Sequence, residues 1–326
     1  VPAKNPLVSI VIPCFNAKKT VKETLDSIAM QKTNFEVQVL LGDDCSTDGT
    51  QDYLRSIQDQ YPEGFEFYLR PQNMGERGNK NCQDLMHRCR GKYMAIVEAD
   101  DFWTYDGKLQ AQVDFLESHP DYEACYHHVV VVGEDSKPNG EKYPECPKDE
   151  YDWNEFFYCS LPGQTGTSLC RYKEYAEARD NFTNMQLYDF YAADRRNAFF
   201  MLTIGKIKCM PEVWGAYRHI VKGGSSYSAN VKINEDYARN EILFGRTCVA
   251  FAQKYGDAQA VHAAKLQYYR TYLKWTRRIP DAKSFSRAEC DAELKQEKGA
   301  LGYRLAFIRW YAVLGARQLA GKGVTL

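Results

Sequence analysis

Carboxylates gather at the ends of apolar runs in this sequence, and their spacing sets the chemistry open to it. Glu98, Asp100 and Asp101 stand within four residues, directly after YMAIV. Like charges so close repel. A hard divalent cation such as Mg or Mn compensates them, because it prefers carboxylate oxygen and completes its shell with phosphate and water. A solvated acidic loop is the plainer alternative. Asp43 and Asp44 follow VQVLLG in the same way. A carboxylate at a strand end can accept an N–H or O–H from a base or a ribose, while Thr47 or Asp48 beyond it is placed to cap the next helix. Arg77 sits in Asn73-Met74-Gly75-Glu76-Arg77-Gly78, a glycine turn from which a guanidinium can reach a phosphate. Asn and Gly in that pattern also make ordinary turns.

Such residues need a scaffold that collects strand ends. Leu7 to Pro13 is β-branched and apolar on both faces, as a buried parallel strand is, and a helical pattern follows from about Ala17 to Met30. The alternation continues with a strand at Val37 to Leu41, a helix at Thr50 to Gln60, a strand at Phe65 to Leu69, a helix at Gly78 to Cys89 and a strand at Tyr93 to Val97. This predicts a parallel α/β sheet, whose ligands bind beyond the carboxyl ends of the strands. The first strand runs into Pro13-Cys14-Phe15-Asn16 with no glycine, which argues against a dinucleotide fold of the GxGxxG type. Then come a helix at Lys108 to Ser118, a strand at Ala124 to Val132, and the exposed loop GEDSKPNGEKYPECPKD. A mixed stretch from Tyr151 to Ser226 holds a helix near Asp194 to Leu202. Beyond Asn234 the pattern is helical, with breaks at Gly256, Pro280 and Gly302.

Composition narrows the classes. With 326 residues, 44% of them hydrophobic and 13% aromatic, the chain can bury a sizeable core and is no disordered tail. A formal net charge of -1 lacks the basic excess of a nucleic-acid protein. The charge is uneven: Val261 to Leu326 carries 13 Lys and Arg against 5 Asp and Glu, a net of +8. Eleven cysteines, an odd number with no CxxC pair, read as cytosolic thiols. The first residues show no secretory pattern, and Arg309 interrupts the apolar run from Leu305 to Leu314. A cytoplasmic protein is expected, peripheral at most on the cytoplasmic face of a membrane. His127 and His128, on the Ala124 to Val132 strand, read as structural.

VSIVIPCFN, LLGDDCSTDGT, NMGERGN and GKYMAIVEADDFWTYDGKLQAQVDFL, in this order and at these intervals, resemble family 2 glycosyltransferases over about residues 6 to 226. The resemblance implies a GT-A fold: a Rossmann-like, mostly parallel sheet flanked by helices, here with a C-terminal helical extension. EADDFW is similar to the family's D-x-D metal motif, with Glu98 where the first Asp usually stands. Asp100, with Glu98 and Asp101, would then hold Mn or Mg on the donor diphosphate, Glu98 serving either metal or ribose. Pro13, Phe15 and Asn16 would frame the base, Asp44 would hydrogen-bond it, and Arg77 and Arg218 would meet the diphosphate. The family's carboxylate base corresponds to Asp194, eleven residues before Gly205-Lys206-Ile207, with Asp189 as its rival. The family commonly continues Tyr-Arg-x-His; here Tyr217-Arg218-His219 shifts the histidine by one position.

The implied activity is inverting transfer of a sugar from a nucleotide-diphosphate sugar, UDP-linked in the first instance, to a glycan or lipid-linked hydroxyl. Residues 1–226 would form the catalytic domain and 227–326 a helical extension for acceptor or membrane-surface association. Lys and Arg between Lys265 and Leu326 alternate with Tyr268, Tyr269, Tyr272, Trp275, Tyr303, Phe307, Trp310 and Tyr311. That mixture suits either an anionic membrane surface or a helical cap. A non-catalytic GT-A-like scaffold that binds a nucleotide sugar or glycan is the alternative. The intact set of Asp44, Glu98, Asp100 and Asp194 favours the enzyme. A nucleotidyltransferase fits less well, because Cys14 to Thr20 holds no glycine.

Overall fold

The computed structural model describes residues 3–157, 161–189, 193–220 and 232–278, with separate positions between 305 and 319. Gly223, Gly224, Pro280, Gly302, Tyr303, Phe307 and Trp310 lie outside the described residues. The chain runs β1 (Val8–Cys14), α1 (Val21–Ala29), β2 (Val37–Asp43), α2 (Thr50–Ile57), β3 (Phe65–Leu69), α3 (Asn79–His87), β4 (Tyr93–Ile96), β5 (Phe102–Trp103) and α4 (Lys108–Ser118). It continues with β6 (Tyr122–Val132), β7 (Glu150–Tyr151), α5 (Trp153–Phe157), β8 (Leu169–Arg171), α6 (Tyr172–Asn184), α7 (Ala193–Ile204), β9 (Lys206–Arg218), α8 (Glu235–Tyr255) and α9 (Ala258–Arg278).

Two compact units emerge. The first comprises residues 1–143, 163–175 and 207–220, and the second 144–162, 176–206 and 221–326. The sheet of the first unit has the order β3-β2-β1-β4-β8-β6-β9-β5. Its first four strands are parallel, in register from Val8 opposite Val37 and Tyr93. The pairs β4–β8, β6–β8 and β5–β9 are antiparallel. Strand β1 is buried almost throughout, and its sequence is apolar on both faces apart from Ser9, whose hydroxyl donates to Gln38 Oε1 at 2.7 Å. Helix α1 buries Val21, Thr24, Leu25 and Ile28, the one-face spacing of an amphipathic helix. Of these, Val21, Leu25 and Ile28 join Ile10, Ile12, Val39, Leu41, Tyr93 and Leu109 in one core. At Gly42 the approach of α3 demands glycine, since a Cβ there would stand 2.5 Å from Asn81 Oδ1 and 2.9 Å from Leu85 Cδ1.

The second unit is helical and aromatic. Phe182, Phe199, Phe244 and Phe251 meet with ring centroids 5.2 to 6.3 Å apart. Asn234 caps α8, its side chain accepting from Tyr237 N at 3.0 Å, and Gly256 ends that helix. Helix α9 buries Ala260, Ala263, Ala264 and Trp275, and from Gln267 to Tyr272 it is buried on every side. Tyr268, Tyr269, Tyr272 and Trp275 pack with Ala238 and Ile242 of α8. The aromatics of the first part of the basic segment are therefore core residues. No described helix is long and apolar enough to cross a membrane.

Candidate active site

The parallel register brings three strand ends together in the first unit. Cys14 of β1 is paired with Asp43 of β2, and two further main-chain bonds tie the ends, Asp44 N to Cys14 O at 2.9 Å and Ala99 N to Pro13 O at 3.3 Å. Asp43 is fully buried, and its carboxylate accepts from Ser46 N at 3.0 Å, Gln51 Nε2 at 2.7 Å and the Ser46 hydroxyl. It shapes the loop. Asp44 is also buried, with Oδ1 accepting from Met74 N at 2.7 Å and its carbonyl from Asn73 Nδ2 at 2.9 Å. The loop after β2 is thus latched to the loop after β3. Asn16, at a left-handed φ of 52°, accepts from Thr47 N at 2.8 Å and donates its own N–H to Ser46 Oγ at 2.8 Å. Beside it Phe15 is 45% exposed, a flat apolar face at the sheet's carboxyl edge.

Four consecutive residues of the β3 loop, Gly75, Glu76, Arg77 and Gly78, have φ of 87°, 53°, 54° and 83°. A side chain in this left-handed region costs about 1 kcal/mol or more, and such strain collects at ligand sites. The turn holds Arg77 exposed at the surface.

The acidic turn after β4 is graded from outside to inside. Glu98 is exposed, Asp100 half-buried and Asp101 buried, and one carboxylate oxygen from each lies within 4.8 Å of the others. Burial pushes the Asp101 carboxyl well above the usual range, with Asp100 and Glu98 adding to the effect, and burial also raises Asp100. Asp101 Oδ1 accepts from Arg218 N at 2.8 Å and Oδ2 from Gln164 Nε2 at 2.7 Å. A donor set of hard carboxylate oxygens at this separation fits a hard divalent ion, with Asp100 and Glu98 on the solvent side.

The sequence assigns Arg218 to the diphosphate; the structure gives its guanidinium other work. Its N–H groups donate to Asp100 O at 2.9 Å, Gly133 O at 2.9 Å, Glu134 O at 3.1 Å, Glu23 Oε2 at 2.6 Å and Ser136 Oγ at 3.0 Å. Five N–H groups meet five acceptors, so Arg218 braces the acidic turn and the loop after β6 from inside the protein. His219 pairs with Glu141 at 2.6 Å. His127 is fully buried, with Nδ1 2.9 Å from His128 O, and burial pushes its pKa well down, so it stays neutral and structural. Gln164, Glu23 and Ser136 were not legible as site residues, since each is a common polar type in a segment without a chemical motif. Asp194 and Asp189 belong to the second unit. Asp194 is half-buried in the first turn of α7, and Asp189 is exposed, its N–H donating to Asn240 Oδ1 at 2.9 Å.

Residues 9–190, more than half of the chain, match the family described as glycosyl transferase family 2. The chain belongs to that family. It is 31% identical over 216 residues to Rv1520, an uncharacterized protein of Mycobacterium tuberculosis, covering 66% of this chain and 60% of that protein. It is 32% identical over 114 residues to WfaP of Escherichia coli, named a UDP-Glc:alpha-D-GlcNAc-diphosphoundecaprenol beta-1,3-glucosyltransferase, covering 34% of this chain and 42% of WfaP. The family 2 chain thus spans three fifths or less of the length of these relatives. Among solved structures it resembles S. aureus TarS 1–349 in complex with UDP-GlcNAc, with a TM-score of 0.58 at 16% identity over 93% of this chain and 79% of that one. That likeness carries the fold, a mixed α/β sheet with a helical C-terminal region, as the resemblance implied.

Proposed function

We propose that this protein is a metal-dependent inverting glycosyltransferase that moves a sugar from a UDP-sugar to a glycan or lipid-linked hydroxyl in glycoconjugate or polysaccharide synthesis. The observation that carries the proposal is the graded acidic turn of Glu98, Asp100 and Asp101, set in the same unit as the latched Asp44 loop. WfaP is named for a UDP-glucose donor and a diphosphoundecaprenol acceptor, and TarS was solved with UDP-GlcNAc, which supports a UDP-sugar here.

In this proposal Pro13, Phe15 and Asn16 frame the base and Asp44 fixes the loop that recognises it. Arg77, exposed on its strained turn, meets the diphosphate. Asp100 and Glu98 hold Mn or Mg, and Asp101 stands behind them. The bound ion supplies charge stabilisation for the departing nucleoside diphosphate. Asp194, or Asp189 in its place, takes the proton from the acceptor hydroxyl as that oxygen attacks the anomeric carbon. A catalytic region of residues 1–226 takes in the whole first unit and the 144–162 and 176–206 segments of the second. Residues 227–326 serve the acceptor, with the basic tail against an anionic surface on the cytoplasmic side of a membrane.

Calorimetric titration with UDP and GDP, each with and without Mn, tests the proposal. Mn-dependent binding of UDP supports it. Equal binding of both nucleotides without metal contradicts it.

A further inference from the structure

Three carboxylates on one short turn pose a sorting problem, because each repels the others and any of them could rotate toward a cation. Gln164 lies against two of them, 4% exposed, in the turn that precedes β8. Its Nε2 donates to Asp101 Oδ2 at 2.7 Å and to Glu98 Oε2 at 3.3 Å, so the two hydrogens of one amide face two different carboxylates. The amide has one workable orientation, since Oε1 accepts from Gly166 N at 2.5 Å and a flipped group would set N–H against N–H. The turn itself is rigidly tied. Thr167 N and Thr167 Oγ1 donate to Gln164 O at 2.9 and 2.7 Å, and Trp103 Nε1 donates to Gly166 O at 2.7 Å.

We infer that Gln164 is a positioning residue that divides the acidic turn, holding Asp101 inward and setting Glu98 so that Glu98 and Asp100 present oxygen to the ion. The inference rests on the proposal that this turn binds a divalent cation. Asp101 has an N–H on each oxygen, from Gln164 and from Arg218 N at 2.8 Å, and is thereby withheld from the outer face. The residue type matters as much as the distances. A lysine or arginine here would also relieve the repulsion, but its positive charge would compete with the incoming cation. A neutral amide donates two hydrogen bonds and leaves the negative charge of the turn intact. Partners that orient metal-ligating carboxylates are commonly worth 10- to 100-fold in metal affinity.

The test uses the full chain and Mn alone, with free Mn measured from its aqueous electron paramagnetic resonance signal, and Asp100→Asn as the reference variant. Gln164→Met keeps the volume and removes both donors; Gln164→Asn keeps a neutral amide but draws it back by one methylene from both carboxylates. Both should bind Mn about 10- to 100-fold more weakly than the wild type, and the rise in unfolding temperature that Mn gives should shrink in step. If Gln164→Met fails to fold, Gln164→Asn decides. Wild-type or tighter Mn affinity in the folded variants, with affinity lost in Asp100→Asn, overturns the role of Gln164 and leaves the ion site standing. Unchanged affinity in Asp100→Asn removes the ion site itself.

Discussion

Replacing Lys108 by methionine should stabilise the protein, and most of all below neutral pH. Lys108 is fully buried at the start of α4, its Nζ has no hydrogen-bond partner and lies 3.7 Å from the ring centroid of Trp103. Burial pushes its pKa from 10.5 down to about 7. At about 1.4 kcal/mol per unit that shift corresponds to a penalty of about 5 kcal/mol. Below about pH 7 the folded and unfolded chains both carry the proton and the penalty is complete. Between about 7 and 10.5 the unfolded chain holds a proton that the folded one lacks, so wild-type stability climbs with pH until the penalty vanishes. Nearby Cys125, pushed up to about 12, and His127, pushed well down, stay neutral across that window. Urea unfolding of wild type and Lys108→Met between pH 6 and 10 should show a gain of about 5 kcal/mol at the acid end that falls to about 1 kcal/mol near pH 10. Parallel curves, or a variant weaker at every pH, would refute the burial argument.

Asp100→Asn should abolish Mn-dependent nucleotide binding while leaving the circular dichroism spectrum unchanged, because an outward carboxylate on a repulsive turn is not a packing element; calorimetry decides. Asp194→Asn should keep donor binding and lose transfer by about a hundredfold or more; if Asp189→Asn shows that pattern instead, the base is Asp189. Gly91→Ala would place a Cβ 2.6 Å from Ser9 N and 2.8 Å from Tyr93 O, both main chain, and should lower unfolding stability by about 1–3 kcal/mol in urea titrations. Deleting residues 300–326 should weaken sedimentation with anionic vesicles at low salt more than it slows turnover of a soluble acceptor. Full-length protein that ignores such vesicles would make this segment a cap or a partner site.

The scaffold was legible because its signals are local. β3 and α4 occupy the predicted residues, and β1, β2 and β4 agree within two positions at their ends, since buried parallel strands read as near-continuous apolar runs. The carboxylates stood out for a related reason: charge directly after an apolar run has few structural explanations. What could not be read was which carboxylate faces where. Asp43 and Asp44 are neighbours of one type, yet Ser46 and Gln51 claim the first and a loop 30 residues away claims the second. Arg218 looked like a phosphate ligand, and only the fold brings Glu23, Ser136 and two carbonyls of the loop after β6 to its guanidinium. The interleaving of the two units, in which segments 144–162 and 176–206 join the C-terminal helices, leaves no compositional mark at its crossings.

The most direct test of the central claim is to incubate the protein with a panel of nucleotide sugars, with and without Mn, and measure nucleoside diphosphate release. The account predicts release from a UDP-sugar that stops with a chelator and is absent in Asp100→Asn. Failure to bind or cleave any nucleotide sugar at millimolar concentration with Mn or Mg present would contradict it.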